Sequence, residues 1–348
     1  MYKTKVIKIG HKKIGGNNPV LVQSMCNTDT RDIKATVKQI KELEKMGCEI
    51  IRVAVLDMKA ARAIKKIKKQ INIPLVADIH FDYRLAIESV KQGADKIRIN
   101  PGNIGSLENL RKVVKACQNK KIPIRVGVNS GSLEQDVLKK YKMRVTPQGL
   151  VDSALKNIKL LEKMNFRNMV VSIKSTNVAH TIKAYEMIAR KISYPLHLGV
   201  TEAGPPSVGI IKSSIGIGAL LAQGIGDTIR VSLTGDSAEE VRVGWEILKS
   251  LKLRKKGVEI ISCPTCGRTQ IDLPKLVNQV EKALKDIKKE ITVAVMGCAV
   301  NGPGEAREAD IGVAGGKKTG IIFRRGKVIK TVKEKDILKE LLKEIKKL

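Results

Sequence analysis

Over the first two-thirds of the chain, eight short β-branched runs alternate with amphipathic helical runs, and this alternation restricts the fold more than any other feature. The strand candidates are residues 19–25, 48–55, 73–79, 96–100, 123–128, 169–174, 196–201 and 228–233. Between and after them lie helical runs at residues 36–46, 58–69, 84–92, 107–118, 150–164, 178–191, 207–223 and 238–251. Strict alternation of this kind gives parallel strands joined by right-handed crossovers. Eight units in ~250 residues is the count of a (β/α)8 TIM barrel, whereas an open doubly wound sheet ordinarily uses about five or six strands. The pattern changes near residues 252–257, KLRKKG. A strand at 258–262 runs into CPTCGR, followed by a helix at 273–289 and a strand at 291–297. A Gly-rich turn, strands at 310–313 and 320–330, and a closing helix complete the chain. The expected organisation is an α/β chain with a TIM-barrel domain over residues 1–256 and a small α+β domain over residues 257–348.

Four strand candidates repeat one pattern: Ile51-Arg52-Val53, Ile97-Arg98-Ile99, Ile124-Arg125-Val126 and Ile229-Arg230-Val231, and a fifth offers Ile173-Lys174. Side chains alternate faces along a strand. The flanking aliphatics therefore point to the surrounding helices and the basic residues point into the barrel. A buried guanidinium without a partner costs several kcal/mol, so this interior demands negative charge from somewhere. The same parity places Asp78 with His80, Arg98 with Asn100, Arg125 with Asn129, Val200 with Glu202, and Arg230 with Ser232. These residues fall at the C-terminal strand ends, where barrel enzymes build their sites. Asp78 and Glu202 are too few to neutralise the arginines. The expected occupant is a dense anion such as a phosphate or diphosphate, which the planar guanidinium fork binds bidentately.

Three of the six cysteines fall in the second domain. Cys263-Pro-Thr-Cys266 alone fits a zinc knuckle, a redox dithiol or an iron–sulfur ligand pair. Cys298 follows a strand and opens the Gly-rich run CAVNGPGEA. The four histidines, His11, His80, His180 and His197, all belong to the barrel part, so a closed four-ligand zinc site lacks its fourth residue. Three thiolates with Glu305 as a weaker oxygen ligand suit a [4Fe–4S] cluster with one reactive iron better than zinc. Cys48 and Cys117 read as ordinary buried thiols.

Lys+Arg number 66 against 34 Asp+Glu, a formal net charge of +32. Most of this charge is lysine spread along helix faces, and only 3% of residues are aromatic, so platforms for stacking bases are scarce. Nucleic-acid binding is therefore not the expected primary role. A positive field also draws in small anions and acidic proteins. No run approaches the ~18 apolar residues of a membrane span, and the first residues, MYKTKVIKIGHKKIGG, lack the apolar core of a secretory signal. The cytoplasm is the expected compartment.

Together these segments resemble a known family, the bacterial 4-hydroxy-3-methylbut-2-enyl diphosphate synthases of the non-mevalonate isoprenoid pathway, in the compact two-domain form. The resemblance is carried, in order, by VQSM with NTDTRD (22–32), ADIHFDYRLA (77–86), KIRINPGNIG (96–105) and IRVGVNSGSLE (124–134). It continues through GVTEAG (199–204), GIGDTIRVSLTGD (224–236), ISCPTCGR (261–268) and MGCAVNGPGEA (296–306). It implies an enzyme that reductively opens 2-C-methyl-D-erythritol 2,4-cyclodiphosphate, with two electrons entering and water leaving. It implies a [4Fe–4S] cluster on Cys263, Cys266, Cys298 and Glu305. The diphosphate would be held by Arg52, Arg98, Arg125, Lys174, Arg230 and Ser232, with Asn100 and Asn129 nearby. Glu202 resembles the family's acid/base carboxylate, and Asp78 and His80 stand as its supporting groups. The resemblance further implies a homodimer, in which the cluster domain of one subunit caps the barrel of the other, and reduced flavodoxin or ferredoxin as electron donor. One departure is Cys26, where the family usually has Thr after VQSM: a thiol replaces a hydroxyl near the barrel mouth.

Overall fold

The computed structural model describes residues 2–285, 287–299, 304 and 306–348. They form two compact units, Met1–Arg254 and Lys255–Leu348, each with its own core.

The first unit opens with a hairpin, β1 (Ile7–Ile9) and β2 (Lys12–Ile14). Eight parallel strands follow: β3 (Leu21–Met25), β4 (Ile50–Ala54), β5 (Leu75–Asp78), β6 (Lys96–Ile99), β7 (Ile124–Asn129), β8 (Met169–Lys174), β9 (His197–Leu198) and β10 (Thr228–Ile229). Their order is β8-β7-β6-β5-β4-β3-β10-β9, and a parallel bridge between Val171 and Leu196 closes the ring. The intervening helices are α1 (Ile33–Lys45), α2 (Met58–Lys68), α3 (Tyr83–Lys91), α4 (Leu107–Lys120) and α5 (Gln135–Lys140). They continue with α6 (Pro147–Lys163), α7 (Val178–Ala189), α8 (Pro206–Ala222) and α9 (Ser237–Ser250). Asp32, Asp57, Asp82 and Asp236 each accept a backbone N–H as helix N-caps, which fixes where the loops at the C-terminal strand ends turn into helices.

Two layers of packing result. Ile51, Val53, Ile97, Ile99, Ile124 and Val126 face outward and are fully buried against the helices. Inside, Leu21, Ile50, Val76 and Val170, near the strand starts, pack with Ile7, Ile9 and Ile14 of the hairpin. The hairpin thus plugs the N-terminal end with aliphatic side chains and leaves the opposite end open. The last two barrel strands are shorter than their sequence runs suggest, because regular pairing stops at Leu198 and Ile229.

The second unit carries β11 (Val258–Ser262), α10 (Leu273–Leu284), β12 (Ile291–Met296), β13 (Ile311–Gly316), β14 (Thr319–Arg324), β15 (Lys327–Lys333) and α11 (Ile337–Ile345). Its sheet runs β11-β12-β13-β14-β15, parallel across the first three strands and antiparallel thereafter. Both helices bury their apolar stripes in one core with the sheet, through Leu276, Val280, Leu341 and Ile345. The single strand expected at 320–330 is two strands. Arg325 and Gly326 adopt φ of 45° and 76°, the left-handed pair of a tight hairpin turn.

Candidate active site at the barrel mouth

The inward face of the barrel leaves a cavity of about 270 Å³ near the C-terminal strand ends. Arg52, Arg98, Arg125 and Lys174 line it together with Asp78 and His80. Met25, Asn129, Ser172, Thr201 and Ser232 complete the wall. Among the described residues that line the cavity, Asp78 is the one carboxylate, facing four cationic side chains.

Asp78 organises one side. Arg98 Nη1 donates to Asp78 Oδ1 at 3.0 Å and lies 3.1 Å from His80 Nε2. Arg52 Nε lies 3.6 Å from Asp78 Oδ2. Burial pushes the Asp78 carboxyl up, but Arg52, the His80 contact, Arg98 and Arg125 outweigh it and hold the group well below the usual carboxylate range. Asp78 is therefore an ionised orienter of two guanidinium groups. Burial pushes Arg52 down to about 10, with Asp78 opposing the shift.

Arg125, the register partner of Arg98 on the next strand, is 1% exposed, and among the described residues its Nε and Nη1 have no hydrogen-bond partner. Arg98 Nε is likewise buried and unpartnered. Burial, reinforced by Arg125, Arg230, Arg52 and Arg98, drives the Lys174 ammonium well below its ordinary range. Buried donors without acceptors are expensive, and several like charges in one cavity compound the penalty. A ligand rich in anionic oxygen would supply the missing acceptors.

Two inward glycines make room for this cluster. A Cβ on Gly127 would lie 2.7 Å from Arg98 Nε, and one on Gly199 would lie 2.6 Å from Lys174 Nζ. Asn129 supports the same arginine. With its amide oriented to satisfy both ends, Oδ1 accepts from Arg98 Nη2 and Nδ2 donates to the Val128 carbonyl, both at 3.1 Å.

Not every expected residue joins the cavity wall. Asn100 caps the turn Pro101–Asn103, accepting the Gly102 N–H at 3.2 Å, and donates to the Ser132 carbonyl at 3.4 Å. Arg230 is drawn to Glu240, with Nη2 3.2 Å from Oε1. Glu202 departs furthest from expectation. Inward parity runs through His197, Gly199 and Thr201, not through Val200. Val200 Cγ2 packs against α8 at Gly216, and Thr201 takes the cavity position. Glu202, at φ 52°, is exposed outside the cavity wall.

Other interior residues escaped the sequence reading. Ser172 shares parity with Lys174, and Lys96 shares it with Arg98, so both were legible. Lys96 is fully buried, and Gln23 Oε1 accepts from its Nζ at 3.3 Å. Glu240 comes from a helix, where strand parity gives no signal.

In the second unit, Cys263 follows β11 and Cys298 lies just beyond β12, strands paired in parallel with Ser262 opposite Val295. Both cysteine motifs therefore leave the C-terminal ends of neighbouring strands, on the same end of the sheet. The Gly297 N–H donates to Cys263 Sγ at 3.2 Å. The Arg268 backbone N–H, with the Thr269 hydroxyl also contributing, holds the exposed Cys266 thiol below its ordinary value. Cys298 is buried. Among the described residues, no three His, Cys, Asp or Glu side chains gather closely enough to hold a metal ion, and Glu305 lies outside the described residues. The donor set still suits iron–sulfur ligation: soft thiols at one end of the sheet, with backbone N–H groups directed at sulfur.

Fold and site together define a (β/α)8 barrel protein with a cation-lined cavity, joined to a cysteine-bearing α+β module. Residues 4–245 match the GcpE TIM-barrel domain and residues 259–347 the GcpE protein C-terminal domain. The chain belongs to the GcpE family. It is 64% identical over 345 residues to a 4-hydroxy-3-methylbut-2-en-1-yl diphosphate synthase (flavodoxin) of Caldanaerobacter subterraneus subsp. tengcongensis, covering 99% of this chain and 97% of the relative. Proteins of the same name from Clostridium perfringens (61% identical, 98% and 97% covered) and Thermodesulfovibrio yellowstonii (54%, 99% and 99%) are also similar. Among solved structures, dihydropteroate synthases from Coxiella burnetii and Stenotrophomonas maltophilia each superpose with a TM-score of 0.52 at 14% identity, covering 72% of this chain and 98% of theirs. That likeness concerns the barrel fold alone. No helix among the described residues is long and apolar enough to cross a membrane.

Proposed function

We propose that this chain is an iron–sulfur oxidoreductase that reductively opens and dehydrates 2-C-methyl-D-erythritol 2,4-cyclodiphosphate to 4-hydroxy-3-methylbut-2-enyl diphosphate. The observation that carries the proposal is the excess of buried cations around the cavity, with unpartnered N–H groups on Arg125 and Arg98. A cyclic diphosphate supplies the negative charge they lack. The GcpE relatives, matched over nearly their full length, carry the name of that enzyme.

In this reading Arg52, Arg98, Arg125 and Lys174 hold the diphosphate, and Ser232 and Asn129 complete its hydrogen bonding. Asp78 stays ionised and orients Arg52 and Arg98. His80, exposed at the mouth, is the group placed to move a proton. Glu202, outside the wall, meets hydroxyl groups that project from the cavity. Arg230 adds its charge to the same cluster from outside the described wall, and Asn100 braces the neighbouring turn. A [4Fe–4S] cluster on Cys263, Cys266, Cys298 and Glu305 would supply two low-potential electrons as the ring opens and one oxygen leaves as water. Flavodoxin, the donor in the relatives' names, or ferredoxin delivers those electrons. The accompanying assembly is a cytoplasmic homodimer with the active site between subunits.

The test is iron, acid-labile sulfide and zinc analysis of protein purified without oxygen. About four irons and four sulfides per chain support the reading. One zinc and no sulfide overturn its redox half.

A further inference from the structure

Helix α9 carries a buried carboxylate that is electrostatically unfavourable for an anion site. Glu240, in its first turn, is 4% exposed and stands beside the cation cluster. Its Oε1 and Oε2 accept from Arg230 Nη2 at 3.2 and 3.3 Å. Oε2 also accepts from Ser24 Oγ at 3.2 Å, and Oε1 from the Leu233 N–H at 3.0 Å. One helix-borne group thus ties β3, through Ser24, to the segment that follows β10, through Arg230 and Leu233. That segment includes Ser232, which lines the cavity. Ser237, at the start of α9, adds a bond from its Oγ to the carbonyl of Met25, another lining residue, at 3.0 Å.

A negative charge here repels an incoming diphosphate. Its retention makes sense if what it fixes is worth more than the repulsion. Glu240 engages Arg230 through Nη2, while the buried Nε has no hydrogen-bond partner among the described residues, so donor capacity remains on the guanidinium. We infer that Glu240 is a positioning residue for anion binding, setting the Arg230 guanidinium and the Ser232 segment before the ligand arrives. The inference rests on the anion-binding reading of the barrel. It acts through Arg230 and Ser232 and makes no contact with the reacting atoms.

The sign of one mutation separates the possible roles. Inorganic pyrophosphate is titrated calorimetrically into the full-length wild type, Glu240→Gln and Ser24→Ala, with melting curves for each. A wild type that does not bind pyrophosphate overturns the anion-binding reading itself. Given wild-type binding, Glu240→Gln is expected to bind about tenfold more weakly, the scale of one lost charged hydrogen bond. The KM for the cyclodiphosphate should rise by a similar factor, with kcat less affected. Tighter binding means the carboxylate acts only as a repelling charge and overturns the inference. Unchanged affinity with a lowered melting temperature means a purely structural role and also overturns it. If Glu240→Gln does not fold, Ser24→Ala decides. It removes one bond to the carboxylate while leaving its charge and should weaken binding about two- to fivefold; unchanged affinity there overturns the inference.

Discussion

Replacing Arg125 by Met should make the free protein more stable and the enzyme inactive. Arg125 is the largest of the fully buried side chains, and two of its three guanidinium nitrogens have no partner among the described residues. Burial, with Arg52 and Arg98 alongside, works against its charged form. Replacing buried ionic groups with apolar side chains of similar volume stabilises proteins by about 1–4 kcal/mol where the charges were poorly compensated. Met is unbranched and fits the same channel, so a gain near the middle of that range, about 2 kcal/mol, is expected. For a domain of this size that raises the barrel's melting temperature by roughly 4–8 °C. Anion binding moves the opposite way. Losing one charged hydrogen-bonding group weakens pyrophosphate binding by about 1.5–3 kcal/mol, or roughly 10- to 150-fold. Calorimetric melts without ligand and pyrophosphate titrations measure both quantities on one preparation. A variant that melts lower and binds as tightly as wild type would refute the argument, because Arg125 would then have a partner within the protein.

Other expectations follow from neighbouring groups. Gly127→Ala puts a methyl 2.7 Å from Arg98 Nε, so Arg98 must move; turnover should fall at least about tenfold, by analogy with overpacking costs of about 1–3 kcal/mol, as steady-state assays would register. Asp78 titrates below its unfolded value of about 3.9, so its contribution is complete above about pH 5 and is lost as the pH falls through the carboxylate range, where the unfolded chain takes up the proton first. Acid unfolding should accordingly be less steep in Asp78→Asn than in wild type, read by circular dichroism between about pH 5 and pH 2. Cys298→Ser should lose most bound iron and reductive turnover while the barrel's melting transition stays in place, since the barrel has its own core; normal iron content would remove Cys298 from the ligand set.

Much of the barrel was legible because its signal is redundant. Every Ile-Arg-Val strand states its inward and outward faces within three residues, and the outward aliphatics and the inward Arg52, Arg98 and Arg125 occupy those faces. The plug at the strand starts was not legible. Ile7, Ile9 and Ile14 belong to strands of three residues each, too short for alternation to register. At β9, parity counted from Val200 instead of His197 inverted the face and sent Glu202 inward. The close approach of Gly199 to Lys174 and to the Arg230 carbonyl, which fixes the true register, is visible only in three dimensions. The break at Arg325–Gly326 carried a turn signal in its glycine, but the apolar residues on both sides masked it. Glu240 lay beyond strand-based reasoning, since its position depends on how α9 docks between β3 and β10.

In this reading the cavity binds a cyclic diphosphate so that it can be reduced. The most direct test is turnover of 2-C-methyl-D-erythritol 2,4-cyclodiphosphate by the anaerobically purified chain with reduced flavodoxin, with wild type, Arg125→Met and Cys298→Ser compared side by side. 4-Hydroxy-3-methylbut-2-enyl diphosphate is expected from the wild type alone, with Arg125→Met failing through substrate binding and Cys298→Ser through electron supply. Equal product from all three proteins, or none from an iron-loaded wild type that binds the substrate, would contradict this reading.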